Sequence, residues 1–323
     1  MAGQLLSAVS DYASIPESYV RPESQRPRLN EVIRGANVPT IDLGSGDEPQ
    51  IIAQVADACR SFGFFQVRRL VVNHGVPLES MQKMMAVASE FFRLPHEEKA
   101  KHYSDDPAKK MRLSTSFNIR KETVRNWRDY LRLHCYPLEE FVPGWPSNPA
   151  SFRQDFTPSL SPSNAKNFID YSLCFVRRSS SRSHVSKNLI VAAFSLCLRD
   201  VVSTYCREVR RLGFRILRAI SLSLELEEGY MAKVLGEQEQ HMAVNYYPKC
   251  PEPELTYGLQ AHTDPNALTI LLQDPNVAGL QVLKDGKWIA VNPQPDALVI
   301  NIGDQLQVPI DAFDEICTYL LYI

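Results

Sequence analysis

Hydrophobic positions in the first part of the chain alternate between the spacing of strands and the spacing of helices. Residues 38–43 predict a short strand, and apolar side chains in residues 52–62 then recur every three or four positions. Residues 64–67 predict a second strand, and residues 81–91 predict a second helix. A long helix with one apolar stripe follows at residues 202–220, and we expect it to support a sheet. The pattern indicates an N-terminal α/β region.

After residue 240 the pattern changes to short strands separated by turn residues. Asp285 and Gly286 lie between two of these strands and are typical of a hairpin turn. The strand-like segments are residues 241–247, 267–272, 280–283, 288–291 and 297–302. Such a run is typical of a jelly-roll or barrel. We therefore predict an α+β fold with a double-stranded β-helix (jelly-roll) core, an N-terminal α/β region and a long supporting helix.

His262 and Asp264 are candidate metal ligands, because they lie two positions apart in a segment that we expect to be extended. Side chains at positions i and i+2 of a strand point to the same face, so both can hold one metal ion. An imidazole and a carboxylate with open positions suit non-haem Fe(II), which takes a second imidazole to complete its protein ligands. No histidine follows His262 in the chain. Taken alone, such a pair is more often two ordinary polar residues.

Composition narrows the class of protein and of ligand. With 323 residues, 44% of them hydrophobic, the chain can bury a large core. A net charge of -2 gives no electrostatic reason to expect nucleic acid or an anionic membrane as a partner. Seven cysteines without a CxxC pair are typical of reduced thiols, and the chain begins without an apolar leader. We expect a cytoplasmic monomer that binds small molecules.

The motifs along the chain, taken in order, resemble those of the plant 2-oxoglutarate- and Fe(II)-dependent dioxygenases. The similarity is greatest to flavanone 3-dioxygenase-like enzymes and to the downy-mildew-resistance group that hydroxylates salicylic acid. The segments that carry the resemblance are residues 64–66, 73–76, 113–118, 127–134, 245–251, 262–264, 279–282 and 301–304. Because many motifs occur in the right order, the resemblance is far more specific than an isolated HxD pair.

The resemblance implies roles for four residues. His262 and Asp264 match the first two iron ligands, and Asn245 and Tyr247 match positions that contact bound 2-oxoglutarate. Strand alternation independently places Asn245 and Tyr247 on one face. The family couples oxidative decarboxylation of 2-oxoglutarate to oxygenation of an aromatic substrate by O2, with ascorbate as a reductant. The implied substrate is a flavonoid or a phenolic acid such as salicylate.

The sequence also departs from the family pattern. The family's second iron histidine is expected near Cys317 and Thr318, and its Arg-x-Ser pair, whose arginine binds the distal carboxylate of 2-oxoglutarate, falls beyond Ile323. We therefore expect the C-terminal barrel strands to be missing, a sheet edge to be left open and catalysis to be impaired. A non-catalytic truncated product or binding module of the same family, and a metal-free cupin-like binding protein, are the alternatives.

Two inserts interrupt the family pattern. Arg68, Arg69 and Leu70 place two charges where a buried strand is expected, and residues 154–199 separate segments that are adjacent in relatives. We expect the longer insert to be a flexible loop, and the inserts and tail resemble retained intron sequence. The predicted organisation is a dioxygenase N-terminal region at 1–150, the insert at 154–199, an incomplete jelly-roll at 200–307 and an aberrant tail at 308–323.

Several other residues have more than one interpretation. His241 shares a face with Asn245 but lies about 13 Å along the strand from it, so a core or rim role is favoured over that of a substitute iron ligand. Asp304 is expected in a turn or beside the metal ligands. The aromatic residues Phe117, Trp127 and Tyr130 either line a pocket for the aromatic substrate or pack in the core.

Overall fold

A computed structural model describes residues 5–9, 12–36, 38–67, 74–149, 168–177, 201–307 and 320–322. Its described strands are β1 (Thr40–Ile41), β2 (Phe64–Val67), β3 (Met111–Thr115), β4 (Asp129–His134), β5 (Phe168–Arg177), β6 (Gln238–Tyr247), β7 (Leu259–His262), β8 (Leu268–Gln273), β9 (Leu280–Lys284), β10 (Lys287–Ala290), β11 (Leu298–Ile302) and β12 (Leu320–Tyr322). The helices are α1 (Glu48–Ser61), α2 (Leu78–Arg93), α3 (His96–Ala100), α4 (Leu138–Phe141), α5 (Val201–Ser223), α6 (Tyr230–Leu235) and α7 (Asp304–Gln307).

The strands form two sheets. The larger sheet has the order β1-β2-β11-β8-β5-β6-β4-β3, and the smaller has the order β10-β9-β12-β7. Apolar residues from both sheets form a common cluster, including Tyr247 of β6, Leu259 of β7, Leu271 of β8, Val282 of β9 and Val299 of β11. Two mainly antiparallel sheets that share a core are the predicted jelly-roll.

Three helices pack on the larger sheet and share a second, bigger hydrophobic cluster with it. Val55 of α1, Met84 of α2 and Val209 of α5 are fully buried there, together with Leu131 of β4 and Val244 of β6. Both β4 and β6 therefore turn alternate residues toward the helices and the remaining ones toward the interior of the jelly-roll. The helix that we predicted over residues 202–220 is confirmed as the 23-residue α5.

Local sequence signals explain where the elements begin and end. The carboxylate of Asp47 accepts a hydrogen bond from the backbone N–H of Gln50 and caps α1. Asp285 and Gly286 join β9 to β10 with φ of 51° and 72°, as the predicted two-residue hairpin requires. Strand β1 is shorter than the predicted residues 38–43, because only Thr40 and Ile41 pair with β2.

The chain after residue 150 differs from expectation. Residues 168–177 of the predicted loop form β5, which pairs with β6 along all ten residues and with β8 along six. Near the end of the chain, β12 pairs with β7 and β9. The expected loss of the C-terminal barrel strands is therefore not confirmed, because β5 and β12 occupy interior places in the two sheets. Residues 68–70 lie outside the described part.

No helix within the described ranges has both the length and the hydropathy needed to span a bilayer.

Candidate metal centre

His262 and Asp264 lie together at the end of β7. The Nε2 atom of His262 is 3.7 Å from Oδ1 of Asp264, and the two side chains are 24% and 13% exposed. His262 Nδ1 lies 2.9 Å from the carbonyl oxygen of Gln260. Since a carbonyl only accepts, Nδ1 carries the proton and donates it, which leaves the Nε2 lone pair directed toward the Asp264 side. The structure therefore brings the two predicted ligands together.

The carboxylate of Asp264 is held in one orientation by two neighbouring strands. Thr269 Oγ1 of β8 and Asn301 Nδ2 of β11 both donate to Asp264 Oδ2, at 2.6 Å and 2.8 Å. The backbone N–H of Asp304 donates to the Asp264 carbonyl at 2.9 Å. With Oδ2 engaged by two donors, Oδ1 is the oxygen that faces His262. One carboxylate oxygen is thus used for positioning and the other is available to a cation.

Beside the metal centre, the backbone at Gly303 lies in close contact with the backbone at Asn266. A Cβ atom at position 303 would lie 2.1 Å from the carbonyl oxygen of Asn266, well inside contact distance. Asn266 in turn donates to Thr269 Oγ1 at 2.9 Å. Thr263 donates to Asp304 Oδ2 at 3.2 Å, which places Asp304 beside the ligands, as predicted. Glycine at 303 therefore allows the 263–269 segment and the end of β11 to touch.

The side chains of His262 and Asp264 are of the kind that binds ferrous iron. An imidazole nitrogen and a carboxylate oxygen are suitable ligands for Fe(II), and they leave coordination positions open for substrates. The described ranges place no third histidine, cysteine, aspartate or glutamate with these two. In the neighbouring strand β12, the residue directly opposite His262 is Leu320. Within the part of the chain that the structure describes, two side chains are therefore available to hold the ion.

Asn245 and Tyr247, the predicted 2-oxoglutarate contacts, both lie on β6. Asn245 is 3% exposed, and its Oδ1 accepts a hydrogen bond from Arg128 at 2.9 Å. Tyr247 is 7% exposed and belongs to the cluster between the two sheets. Their contact with 2-oxoglutarate stays a prediction.

A second group of possible metal ligands lies at the other end of β6. One ligand atom from each of His134, Glu239 and His241 lies within 4.8 Å of the others. His241 Nε2 is 2.9 Å from Glu239 Oε2, and Arg132 donates to His241 Nδ1 at 3.3 Å. Both nitrogens of His241 are therefore engaged, with a guanidinium directly beside the ring.

Burial and positive charge keep these histidines neutral. Burial lowers the pKa of His134 to about 3, with further lowering by His241, Arg132 and Lys110. Burial is also the main cause of the lowered pKa of His241, which its hydrogen bond to Glu239 partly opposes. The same cations disfavour a bound metal ion at His134, Glu239 and His241. The side chain of His241 is 14% exposed, and its predicted core or rim role stays a prediction.

The three aromatic candidates separate into different environments. Trp127 is 2% exposed, packs with Tyr19 and donates from Nε1 to the carbonyl oxygen of Pro248, so it belongs to the core. Phe117 is 53% exposed. Tyr130 is buried on the inner face of β4, and the guanidinium of Arg128 lies 4.8 Å from its ring centre. Tyr130 is the one of the three that combines burial with a place on the interior face.

Sequence reasoning missed the residues that position the ligands. Thr269 and Asn301 are polar residues within otherwise apolar strands, and both are at most 3% exposed. A buried polar side chain in an apolar strand needs a hydrogen-bond partner, which is the signal that could have identified them. Arg128 was missed as well, since a charged residue beside a strand is more often solvated.

A jelly-roll with an imidazole and a carboxylate on a strand of its smaller sheet is the architecture of a non-haem iron enzyme. Two family models match the chain. Residues 38–153 match the non-haem dioxygenase in morphine synthesis N-terminal family, and residues 238–314 match the 2OG-Fe(II) oxygenase superfamily. The chain belongs to the 2OG-Fe(II) oxygenase superfamily, whose members use Fe(II), 2-oxoglutarate and O2 on a small-molecule substrate. It is a 2-oxoglutarate-dependent dioxygenase by family.

Known proteins are similar over almost the whole chain. Flavanone 3-dioxygenase 2 of Oryza sativa subsp. japonica is 60% identical over 94% of this chain and 74% of that protein. Protein DOWNY MILDEW RESISTANCE 6 of Arabidopsis thaliana is 53% identical over 95% of this chain and 75% of that protein. The crystal structure of JOX2 in complex with 2OG, Fe and JA is 33% identical and matches with a TM-score of 0.73, covering 98% of this chain and 77% of that one.

Proposed function

We propose that this chain oxygenates a small aromatic molecule, either a flavonoid or a phenolic acid such as salicylate. The observation that carries the proposal is the convergence of His262 Nε2 and Asp264 Oδ1 at 3.7 Å, with the other carboxylate oxygen already occupied. Flavonoid is suggested by the name of the rice relative, and phenolic acid by the subgroup motifs.

The chain's own residues provide the binding and the orientation. His262 and Asp264 would hold the iron, and Thr269 and Asn301 fix the carboxylate that faces it. When bound, the ion supplies O2 activation coupled to decarboxylation of 2-oxoglutarate, with ascorbate to keep it ferrous. Asn245, on the inner face of β6, would contact the keto acid.

We infer that turnover by this 323-residue chain is slow. Iron held by two protein ligands dissociates more readily than iron held by three, and Leu320 is the residue opposite His262 in the adjacent strand. The weakness lies in holding the metal, so a high iron concentration is expected to raise activity.

The test is a coupled assay on the purified chain. The protein is supplied with Fe(II), ascorbate, 2-oxoglutarate and either naringenin or salicylate, and both succinate and substrate carrying one added oxygen are measured by mass spectrometry. Succinate and oxygenated product are expected in equal amounts. A His262→Ala/Asp264→Ala variant of the same chain provides the control. Equal succinate formation by the chain and this variant would contradict the proposal.

A non-catalytic binding module of the same family is the second candidate. It is favoured by the two-ligand centre, since no third ligand joins the pair in the ranges that the structure describes. The two candidates differ in one measurement: a binding module binds the aromatic ligand without forming succinate at any iron concentration.

We propose further that the protein acts as a monomer in the cytoplasm. Seven cysteines without a CxxC pair, a pattern typical of reduced thiols, support the cytoplasmic part of this proposal. Light scattering on the purified chain and microscopy of a tagged version in plant cells test the two parts.

A further inference from the structure

The inner face of β3, β4 and β6 is rich in basic and aromatic side chains. Strand pairing places Arg112 opposite Arg132, and Tyr130 opposite both Ser114 and Asn245. Directly opposite residues share a face, so these side chains and Arg128, two positions before Tyr130, line the same side of the sheet. This is also the side on which Asn245 lies.

Arg128 is buried among neutral partners. It is 7% exposed, its Nε donates to the carbonyl oxygen of Ser116 at 3.0 Å, and one terminal nitrogen donates to Asn245 Oδ1 at 2.9 Å. Its guanidinium carbon lies 4.8 Å from the centre of the Tyr130 ring. These contacts fix the planar group in place without neutralising its charge.

The carboxylates of Asp129 and Glu122, which lie near Arg128 in the sequence, form hydrogen bonds with other groups. Asp129 follows Arg128 in the chain but faces the helices, where it accepts hydrogen bonds from the backbone N–H groups of Leu6 and Ser7. Glu122 accepts from the Asn118 backbone and from the Asn126 side chain, at 2.8 Å and 2.7 Å. Across the described residues, no carboxylate oxygen lies within 4.0 Å of an Arg128 nitrogen.

Arg112, on the neighbouring strand β3, is also a buried arginine. It is 8% exposed, and its buried Nε has no hydrogen-bond partner among the described residues. Its guanidinium carbon lies 5.5 Å from the Tyr130 ring centre. The charge of Arg112 contributes to the lowered pKa of Asp105, but no carboxylate oxygen of the described residues lies within 4.0 Å of an Arg112 nitrogen. A buried N–H donor without a partner is costly, and the fork of N–H donors of a guanidinium matches a carboxylate in a bidentate way.

We propose that Arg112 and Arg128 form a carboxylate-binding site for an anionic aromatic ligand whose ring packs near Tyr130. The proposal deepens the proposed function, because it selects a phenolic acid over a neutral flavonoid as the substrate class. The same carboxylate chemistry is also present in 2-oxoglutarate, and the position of Asn245 beside Arg128 makes the co-substrate the second source of such a group.

Binding measured without iron tests the site independently of catalysis. Isothermal titration calorimetry on the metal-free chain compares salicylate with salicylamide, which keeps the ring and the hydroxyl but has no charge. We expect Arg112→Gln and Arg128→Lys each to weaken salicylate binding about tenfold or more and to change salicylamide binding little. Arg211→Gln is the matched control, since Arg211 is exposed on α5 and paired with Glu208.

A second titration with 2-oxoglutarate distinguishes the two sources. Loss of salicylate binding alone assigns the site to the aromatic substrate, whereas loss of 2-oxoglutarate binding alone assigns the carboxylate site to the co-substrate and overturns the aromatic ligand. Unchanged binding of both carboxylates in both variants, with the thermal unfolding of the wild type retained, overturns the site. Because Arg112 donates no hydrogen bond to the described residues, Arg112→Gln keeps the test informative if Arg128→Lys unfolds the chain. Succinate formation in the coupled assay is measured separately, so the proposed function can fail or stand on its own.

Discussion

The two carboxylate oxygens of Asp264 lie in different environments. Oδ2 accepts from Thr269 and Asn301, while Oδ1 faces His262. A carboxylate that is already oriented loses less conformational freedom when it binds a metal ion. The hydroxyl and the amide therefore contribute to metal affinity without touching the metal.

Replacement of Asn301 tests this contribution. Asn301→Ala removes one of the two donors to Oδ2, and we expect metal affinity to fall about 10- to 100-fold. Anaerobic titration with Co(II), followed by its visible absorption, measures the affinity. Asn276→Ala on the exposed turn is the control. Unchanged affinity in Asn301→Ala would show that Thr269 alone orients the carboxylate.

The buried histidine His134 predicts an acid-sensitive fold. Its pKa is lowered from an ordinary value of 6.5 to about 3 by burial, so the folded protein keeps it neutral while the unfolded chain takes up a proton below pH 6.5. The contribution of His134 to the free energy of unfolding is complete above pH 6.5 and is lost as the pH falls toward 3. Burial also lowers the pKa of nearby His241.

Denaturant unfolding at pH 7.5 and 5.5 measures the effect. The wild type is expected to lose about 1 kcal/mol more than His134→Gln over this interval, because only the wild type carries the titrating ring at this position. The exposed His96→Gln variant provides the comparison. An equal loss in wild type and His134→Gln contradicts the assignment.

The helices and strands whose hydrophobic residues recur at a regular spacing were predictable from sequence. Alternation predicted β6, and an apolar stripe predicted α5, because one face of each must meet the core. Strand β5 could not be predicted, since it lies in a segment without family motifs and its assignment depends on pairing with β6 and β8. The proximity of His262 and Asp264 was predictable from their spacing. The burial of the arginines beside Tyr130 was not, because it depends on contacts between distant strands.

The pairing of β12 with β7 predicts where a further metal ligand can be introduced. Leu320 lies directly opposite His262, and opposite residues in an antiparallel pair share a face with Cβ atoms about 5 Å apart. Leu320→His is expected to raise Co(II) affinity about tenfold or more by completing a set of two imidazoles and one carboxylate.

Leu321→His is the matched control for this variant. Leu321 pairs with Gln281 of β9, and the pairs that join β12 to β7 do not include it, so the affinity should stay at the wild-type level. If both variants bind Co(II) like the wild type, the register between β12 and β7 is wrong.

Hydrogen exchange tests the second unexpected element. Amides of Phe168–Arg177 are expected to exchange as slowly as those of Gln238–Tyr247, because β5 is hydrogen-bonded on both sides in the sheet. Mass spectrometry on proteolytic peptides gives the rates. Exchange within seconds across residues 168–177 would support the flexible loop that the sequence predicted.

At the scale of the whole molecule, the two segments matched by family models are joined through the larger sheet. Residues 38–153 supply β1 to β4, and residues 238–314 supply β6 to β11. The first set lies at both edges of the larger sheet and encloses the strands of the second, since β2 pairs with β11 and β4 pairs with β6. Neither segment contains a complete sheet, so we expect the two to unfold together in a single cooperative transition.

The pairing of β2 with β11 has a consequence for synthesis in the cell. Phe64 to Val67 find their partners only when Leu298 to Asn301 have been made, more than two hundred residues later. Until the ribosome has released that part of the chain, the apolar edge of β2 is exposed to solvent and to other nascent chains. Contacts at such separation form slowly, and the interval is when a chaperone would be needed most.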